Sequence, residues 1–352
     1  MPDLHSIIKR AARDAGFDLC GIASAADHRE LNYFPVWIAS GHAGEMKYME
    51  SRDDQGQLKR ASLARVAPWA RSVIVCAINY NTAQPYSTHV KDPVRGWISR
   101  YAWSQEDYHE AVLRRLKQVE RAIWDGHSCP PDLQTRSYVD TGPIVERVYA
   151  KYAGIGWIGK NTCIINQQKG SWLFLGVILT SLELQPDLPA PDRCGTCTRC
   201  IDACPTDALI RPYQLDSNKC ISYLTIEKRG TIPEDLRSQM GRHVFGCDIC
   251  QDVCPWNRKA PVSSATEFGA RPGLVNPALD WLAEISAEDF RENFRGSPIR
   301  RTKRSGLRRN AVIAMGNSGN RELLPVLQRL SSDDDPLVAE SASWAISRLE
   351  KR

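Results

Sequence analysis

The sequence has no apolar run that approaches the roughly eighteen residues of a membrane-spanning helix. It shows no signal peptide and no twin-arginine leader. Neither charge sign is in large excess, because 46 Lys and Arg stand against 41 Asp and Glu. The first two absences argue against a membrane protein and an exported one, whereas the total charge excludes no partner. We therefore expect a cytoplasmic chain that does not bind a membrane and, since nothing indicates an obligate dimer, a monomer.

Cysteine, in contrast, is plentiful, and eight of the twelve cysteines lie between positions 194 and 254. Cytoplasmic thiols stay reduced, so these residues are expected to be metal ligands or free thiols rather than disulfides. The other four have no ligand spacing and are predicted to be structural: Cys20, Cys76, Cys129 and Cys163.

A chain of 352 residues is expected to contain about two or three domains. The first, residues 1–185, is predicted to be an α/β domain. An amphipathic helix over 3–16 and helices over 29–39 and 108–124 alternate with short apolar strands at 17–23, 72–78, 136–139, 162–166 and 172–180. The run at 72–78 is continuous and β-branched, which is typical of a strand covered on both faces.

A proline-rich linker at 183–193 leads into a cysteine module, predicted over residues 186–262. From 275 to 352 only helical periods occur, which predicts a small all-α domain. Within it Leu307, Ala311 and Ala314 recur 31 residues later as Val338, Ala342 and Ala345. This recurrence suggests two HEAT-like helical repeats, although ordinary helix amphipathicity is an open alternative.

The cysteine module has the spacing of bacterial ferredoxins, in which the fourth cysteine of a run binds the other cluster. The first run is Cys194-x₂-Cys197-x₂-Cys200-x₃-Cys204-Pro, the second is Cys247-x₂-Cys250-x₃-Cys254-Pro, and Cys220 stands alone between them. Crossed ligation predicts two [4Fe–4S] clusters, one at Cys194, Cys197, Cys200 and Cys254 and the other at Cys204, Cys220, Cys247 and Cys250. Two zinc sites are the alternative, which this spacing suits poorly.

The segment Gly154-x-Gly156-x-x-Gly159-Lys160 resembles a dinucleotide or phosphate loop. Its glycines follow a predicted helix and precede a strand, which is the reverse of what either motif needs. We therefore predict a tight helix-to-strand turn without a nucleotide.

Asp140 ends the predicted strand 136–139 and precedes Thr-Gly-Pro. Ligands bind at the carboxyl ends of strands in α/β domains, and an apolar pocket there would raise the pKa of an aspartate enough for it to donate a proton. The alternative is that Asp140 forms an Asx turn or a helix N-cap.

Nearly the whole chain resembles the epoxyqueuosine reductases. The resemblance rests on the two cysteine runs, the glycine segment and further motifs: Gly44-Glu-Met-Lys-Tyr-Met49, Arg100-Tyr-Ala102 with Asp107-Tyr-His109, and Tyr138-Val-Asp-Thr-Gly-Pro143. It implies an α+β multi-domain chain with a cobalamin-binding α/β domain, a ferredoxin-like module with two [4Fe–4S] clusters and a HEAT-like all-α C-terminal domain.

The resemblance also implies a function, which is the reduction of epoxyqueuosine to queuosine in the anticodon loop of tRNA. Electrons passing through the clusters would produce cob(I)alamin, which reduces the epoxide with loss of water. No Asp-x-His-x-x-Gly motif is present, so the cobalamin is expected to be base-off. Asp140 matches the proton donor, and the expected corrin contacts are Arg60, Asp140, Ser222 and Asp248. A salt bridge or a surface position is the alternative for Arg60 and Asp248.

A basic segment over residues 300–309 contains six cations and no acid, and we predict that it binds tRNA phosphates: Arg300, Arg301, Lys303, Arg304, Arg308 and Arg309. A solvated helical face is the alternative. Two other functions remain open: a reductive dehalogenase acting on a small organohalide, and a non-catalytic ferredoxin-type electron carrier. The sequence does not identify the electron donor.

Overall fold

The computed structural model describes residues 4–125 and 130–351, so the predicted structural role of Cys129 lies outside the described residues. The helices are α1 (Leu4–Asp14), α2 (Tyr33–Ala39), α3 (Tyr108–Trp124), α4 (Glu146–Tyr152), α5 (Arg199–Asp202), α6 (Ile221–Ile226), α7 (Glu234–Arg237), α8 (Ile249–Asp252), α9 (Leu279–Glu284), α10 (Ala287–Asn293), α11 (Lys303–Ser318), α12 (Leu324–Leu330) and α13 (Pro336–Glu350). The strands are β1 (Leu19–Ser24), β2 (Ser72–Asn79), β3 (Trp97–Ile98), β4 (Thr135–Tyr138), β5 (Trp157–Ile158), β6 (Ile164–Ile165), β7 (Leu173–Thr180) and β8 (His243–Phe245). No described helix is both long and apolar enough to cross a membrane.

The N-terminal part of the chain contains a sheet with the strand order β1-β2-β7-β4, in which every neighbouring pair is antiparallel. The mixed composition of helices and strands is as predicted. The antiparallel pairing, however, removes one argument for Asp140, because the rule about the carboxyl ends of strands applies to parallel sheets.

Helices cover both faces of this sheet. Alternate residues of β2 point to opposite sides, so that Ile74, Cys76 and Ile78 pack against α1 and α3, while Val73, Val75 and Ala77 pack against α4. All eight residues of β2 are buried, which confirms the prediction of a strand covered on both faces. Cys76 faces Cys20 across the β1–β2 pair with 3.8 Å between the sulfur atoms, and both are free thiols.

The cysteine module and the C-terminal helices pack closely against the N-terminal part. Strand β3 pairs in parallel with β8, which lies between Cys220 and Cys247. Ile98, Trp103 and Phe245 share one apolar core with α9–α13. The predicted boundary between residues 262 and 275 therefore does not separate two cores.

In the C-terminal helices, the recurring residues Leu307, Ala311, Ala314, Val338, Ala342 and Ala345 are all fully buried. Helix α11 packs against α13, and a Cβ at Gly316 would lie 2.8 Å from the Cα of Ala345, so glycine allows the two helices to approach closely. The HEAT-like classification stays a prediction.

Candidate active site

The eight cysteines of the module fall into two groups of neighbours. Burial and the nearby Cys254 and Cys194 raise the pKa of the Cys200 thiol to about 11. Burial also raises the pKa of the Cys247 thiol, whose neighbouring thiols are Cys220 and Cys204. The neighbours are Cys194, Cys197, Cys200 and Cys254 in one group, and Cys204, Cys220, Cys247 and Cys250 in the other. Crossed ligation uses the same two sets, and their role as cluster ligands stays a prediction.

Short helices hold these thiols in place. Helix α5 carries Cys200, α8 carries Cys250, and the two helices pack against each other. Cys163, which was predicted to be structural, lies against Cys250 and is thus a ninth thiol beside the second group. Among the described residues, no three His, Cys, Asp or Glu side chains converge on a point that could hold a single metal ion, as a zinc site would require.

Asp140 lies directly after β4 with a left-handed backbone, φ 57°. Its carboxylate does not cap a helix, since the residue before α4 is Val145, which makes no side-chain cap. Instead, the Tyr108 hydroxyl donates to Asp140 Oδ2 over 3.0 Å, and His109 Nε2 lies 3.7 Å from the same oxygen. The alternative of an Asx turn or N-cap is therefore not observed.

A row of polar groups extends behind Asp140. The carboxylate of Asp107 accepts the backbone N–H of His109 at the start of α3 and lies 2.7 Å from His109 Nδ1. On the other side, Asp140 donates its backbone N–H to Glu146 Oε1 over 2.8 Å. The Asp140 side chain itself is 68% exposed, so its carboxylate is accessible from outside the protein.

The pKa of Asp140 is lowered, whereas the sequence predicted that it would be raised. The adjacent His109 imidazole lowers the pKa of Asp140 to about 2 and outweighs burial, which would raise it. Burial alone would lower the pKa of His109, but Asp107 and Asp140 raise it to about 9. Burial and the charge of Asp140 raise the pKa of Glu146 to about 8. At neutral pH the protons therefore lie on His109 and Glu146, and both residues touch Asp140.

Arg60 lies beside the Asp140 loop, and its role as a corrin contact stays a prediction. Its guanidinium donates to the Tyr48 carbonyl over 2.6 Å and to the Gly142 carbonyl over 3.2 Å, so it joins two loops beside Asp140. The Tyr48 ring lies between two cations, because the Arg301 guanidinium is 5.2 Å from its centroid and that of Arg60 is 5.7 Å away. Arg60 thus lies next to Asp140, and among the described residues it forms no salt bridge.

The other two predicted corrin contacts differ from each other. Ser222 is half-buried in the first turn of α6, directly after Cys220. Asp248 is buried, and its two carboxylate oxygens accept hydrogen bonds from the Ser99 hydroxyl and the Arg100 backbone N–H. The prediction for the Asp248 side chain is corrected accordingly: it anchors the module to the N-terminal part and is not free for a ligand.

The structure also corrects the prediction for the basic segment. Arg308 is buried and makes a two-pronged ion pair with Asp333, and Arg309 is fully buried and donates to the carbonyls of Leu224, Lys228 and Gly230. These two arginines stabilise packing and cannot reach phosphates. Arg300, Arg301 and Lys303 are exposed, whereas Arg304 is half-buried and donates to the carbonyl of Ile285.

Sequence reasoning did not identify Tyr108, His109 and Glu146 as partners of Asp140. The Asp-Tyr-His tripeptide contributes to the family resemblance, but the resemblance alone does not connect it to Asp140. The available signal was an aspartate at a helix start two residues before a histidine, namely Asp107 and His109. At that spacing the carboxylate that caps the helix can also bind the imidazole.

The comparisons first define the class of protein. Residues 193–257 match a family described as a 4Fe-4S double cluster binding domain. The chain is therefore an iron–sulfur protein, and the zinc alternative is set aside. The exposed Asp140 carboxylate, with its tyrosine partner and its two proton-carrying neighbours, favours an enzyme over a simple electron carrier.

The particular family follows from closer relatives. Residues 60–141 match the family described as "Epoxyqueuosine reductase QueG, DUF1730". An epoxyqueuosine reductase of Synechocystis is 46% identical over 78% of this chain and 91% of that one, and one of Xanthomonas campestris is 38% identical over 98% and 96%. The solved epoxyqueuosine reductase of Bacillus subtilis has a TM-score of 0.87 at 30% identity, covering 98% of this chain and 90% of that one. This chain belongs to the epoxyqueuosine reductase family.

A related structure contains a ligand of interest. It is an epoxyqueuosine reductase with a tRNA-Tyr epoxyqueuosine-modified tRNA stem loop, and it matches with a TM-score of 0.89 at 30% identity over 98% of this chain and 90% of that one.

Proposed function

We propose that this chain reduces epoxyqueuosine to queuosine in the anticodon loop of tRNA, the last step of queuosine biosynthesis, with loss of water. The observation that carries the proposal is the exposed Asp140 carboxylate beside His109 and Tyr108, in a chain of this family. We place the cofactor in a cleft in front of Asp140, between the loops that Arg60 joins. A reductive dehalogenase and a non-catalytic electron carrier are not favoured, because they would not need exposed cations beside the cleft. We place the enzyme in the cytoplasm as a monomer, with an electron donor still to be identified.

The cleft fits a cobalamin in its polarity. The exposed Asp140 carboxylate, the Tyr108 hydroxyl, the Tyr48 carbonyl and the Arg60 guanidinium lie around this space, and the amide side chains of a corrin need such hydrogen-bonding groups. When bound, a base-off cobalamin supplies a strongly reducing, nucleophilic cobalt for opening the epoxide. Arg60, Asp140 and Ser222 are the residues of this chain that we assign to it.

The thiols fit two [4Fe–4S] clusters in the crossed arrangement, which supply one-electron transfer when assembled. Cys220, Cys247 and Met46 all pack against the apolar cluster that contains Ile221 and Tyr223. Met46 lies in the Gly44–Met49 segment that also carries Tyr48 of the cleft. We therefore assign the second group of cysteines to the electron path that leads to the cleft.

The chain itself handles the proton that the leaving oxygen needs, since an alkoxide leaves poorly without one. Asp140 is ionised in the resting state, and His109 carries a proton 3.7 Å from its Oδ2. We infer that Asp140 donates a proton which it receives from His109, while Asp107 holds the imidazole in orientation. Glu146 is a second protonated neighbour and supports the loop through the Asp140 backbone N–H.

This relay predicts a pH dependence. His109 stays protonated below its pKa of about 9, so turnover should be maintained below that pH and fall as the pH rises through it. Asp107→Asn removes the carboxylate that raises the pKa of His109 and should move this alkaline limb to lower pH. If the substitution makes the His109 imidazolium tenfold more acidic, the protonated fraction of the variant is about tenfold smaller at a pH above the pKa of His109 in both proteins. Turnover of the variant at that pH should then be about tenfold slower. The measurement is a pH–rate profile under single-turnover conditions.

The groups facing His109 are Asp107, Asp140 and Tyr108, with Glu146 and Arg147 one contact farther away. Glu106→Gln is a matched control, since Glu106 lies beside Asp107 in sequence but pairs with Arg114 on the exposed side of α3. An alkaline limb that Asp107→Asn leaves in place would show that His109 does not supply the proton.

Arg300, Arg301, Lys303 and Arg304 remain our candidates for tRNA binding. Arg301 pairs with Glu227 and contacts Tyr48, so the exposed cations continue directly into the cleft. A base that enters the cleft would bring the phosphates of the loop over these residues.

Removing two of these charges should weaken tRNA binding without changing the fold. For Arg300→Ala with Lys303→Ala, we expect a lower affinity and a salt-dependence slope reduced by about two, one for each lost phosphate contact. Arg321→Ala with Arg329→Ala removes the same charge from exposed positions near α12 and should leave the slope unchanged. Equal slopes for the two double variants would exclude this surface.

The proposed function is tested by turnover. Anaerobically reconstituted protein with cobalamin, a chemical reductant and tRNA carrying epoxyqueuosine should yield queuosine, detected by nucleoside mass spectrometry as the loss of one oxygen. The same mixture without cobalamin should yield none. Failure to convert the nucleoside despite loaded clusters and cobalamin would reject the proposal.

A further inference from the structure

The glycine segment that resembles a phosphate loop contacts the cysteine module instead. As predicted, it forms a helix-to-strand turn between α4 and β5, with a left-handed backbone at Gly154. The Trp157 indole N–H donates to Cys194 Sγ over 3.4 Å. The Lys160 ammonium donates to the carbonyls of Gly195 over 2.7 Å and Cys197 over 3.0 Å.

Both side chains are well shielded from water. Trp157 is 2% exposed and packs edge-on against Trp256, with 5.0 Å between ring centroids, and Lys160 is 9% exposed. Trp157 and Trp256 form one apolar cluster with Cys194 and Cys254, which are ligands of the same predicted cluster. The contacts therefore converge on one of the two groups of cysteines.

Such contacts change the reduction potential of an iron–sulfur cluster. Accepting an electron makes the cluster more negative, and an N–H donor on a ligand sulfur or a nearby buried cation stabilises that reduced state. Because water screens Trp157 and Lys160 little, their effect should be larger than that of an exposed charge.

We propose that Trp157 and Lys160 are positioning residues that raise the reduction potential of the cluster at Cys194, Cys197, Cys200 and Cys254, and leave the other cluster unaffected. The inference rests on the proposed two-cluster assignment. The loop that carries Cys197 is exposed at Gly195, Thr196, Thr198 and Arg199, so an electron donor can reach this cluster from the surface. The two residues thus set the potential at which the chain accepts an electron.

The test is a redox titration of the anaerobically reconstituted full-length chain, followed by electron paramagnetic resonance. Trp157→Phe keeps an aromatic ring and removes only the N–H donor. We expect the reduction equilibrium of one cluster to become about tenfold less favourable, which is ~59 mV for a one-electron couple, with no change in the other. Lys160→Met should shift the same cluster in the same direction.

Trp172→Phe is the matched control. Trp172 is fully buried, and its indole nitrogen has no hydrogen-bond partner among the described residues, so neither potential should change. An unchanged potential in Trp157→Phe with full iron content would overturn the inference. If Trp157→Phe does not retain iron, an unchanged cluster potential in Lys160→Met would overturn the inference. An unsubstituted protein without two reducible clusters would instead contradict the proposed function.

Discussion

Replacing Asp140 by asparagine should lower the turnover of epoxyqueuosine-containing tRNA by about 10²–10⁴-fold, the loss expected for a general acid. The amide keeps the shape of the side chain and can still accept from the Tyr108 hydroxyl, but it cannot take a proton from His109 and pass it on. Binding of cobalamin and tRNA should change little, because the exposed carboxylate is one of several groups around the cleft. Single-turnover rates, with cobalamin content measured on the same samples, check this expectation.

The control for this substitution is Asp289→Asn, which makes the same chemical change on the exposed N-terminal turn of α10. It should retain full turnover. If Asp140→Asn also retained full turnover, Asp140 would return to a role in shaping the loop, and its left-handed backbone would be its main contribution.

Replacing Cys220 by alanine should remove one cluster and abolish turnover. Cys220 stands outside both regular runs, and the crossed arrangement needs it as the eighth ligand. Its neighbouring thiol Cys204 belongs to the same group. We expect the iron content of the reconstituted protein to fall by about four atoms per chain, which colorimetric iron analysis measures directly.

Cys163→Ala provides the matched control, because Cys163 is also close to this group and lies against Cys250. It should keep its full iron content, since the crossed assignment leaves it no corner to fill. Loss of iron in Cys163→Ala but not in Cys220→Ala would exchange the roles of the two residues and refute the assignment.

Elements with a strong hydrophobic period could be predicted from the sequence. The helix expected over 108–124 is observed as α3 (Tyr108–Trp124), and the strand at 72–78 is extended by one residue in β2. The direction of strand pairing could not be predicted, because the apolar run of a strand covered on both faces is the same in parallel and antiparallel sheets. The shared core of Ile98, Phe245 and the C-terminal helices depends on contacts distant in sequence, which local patterns do not contain.

The charged residues of the site also depend on contacts distant in sequence. Asp140 was identified, but the direction of its pKa shift depends on His109, which comes from another element 31 residues earlier in the sequence. The basic segment looked like one surface, yet Arg308 and Arg309 point into the protein. Helix α11 is packed on several sides, and all residues from Gly306 to Gly316 are buried, so a one-dimensional count of charge could not show which cations remain exposed.

The cobalamin site is the central claim, and a titration of the cluster-loaded chain with cob(II)alamin tests it most directly. Electron paramagnetic resonance should show one corrin bound per chain, in the base-off state. Arg60→Ala should weaken this binding. A chain with intact clusters that binds no corrin would contradict the account.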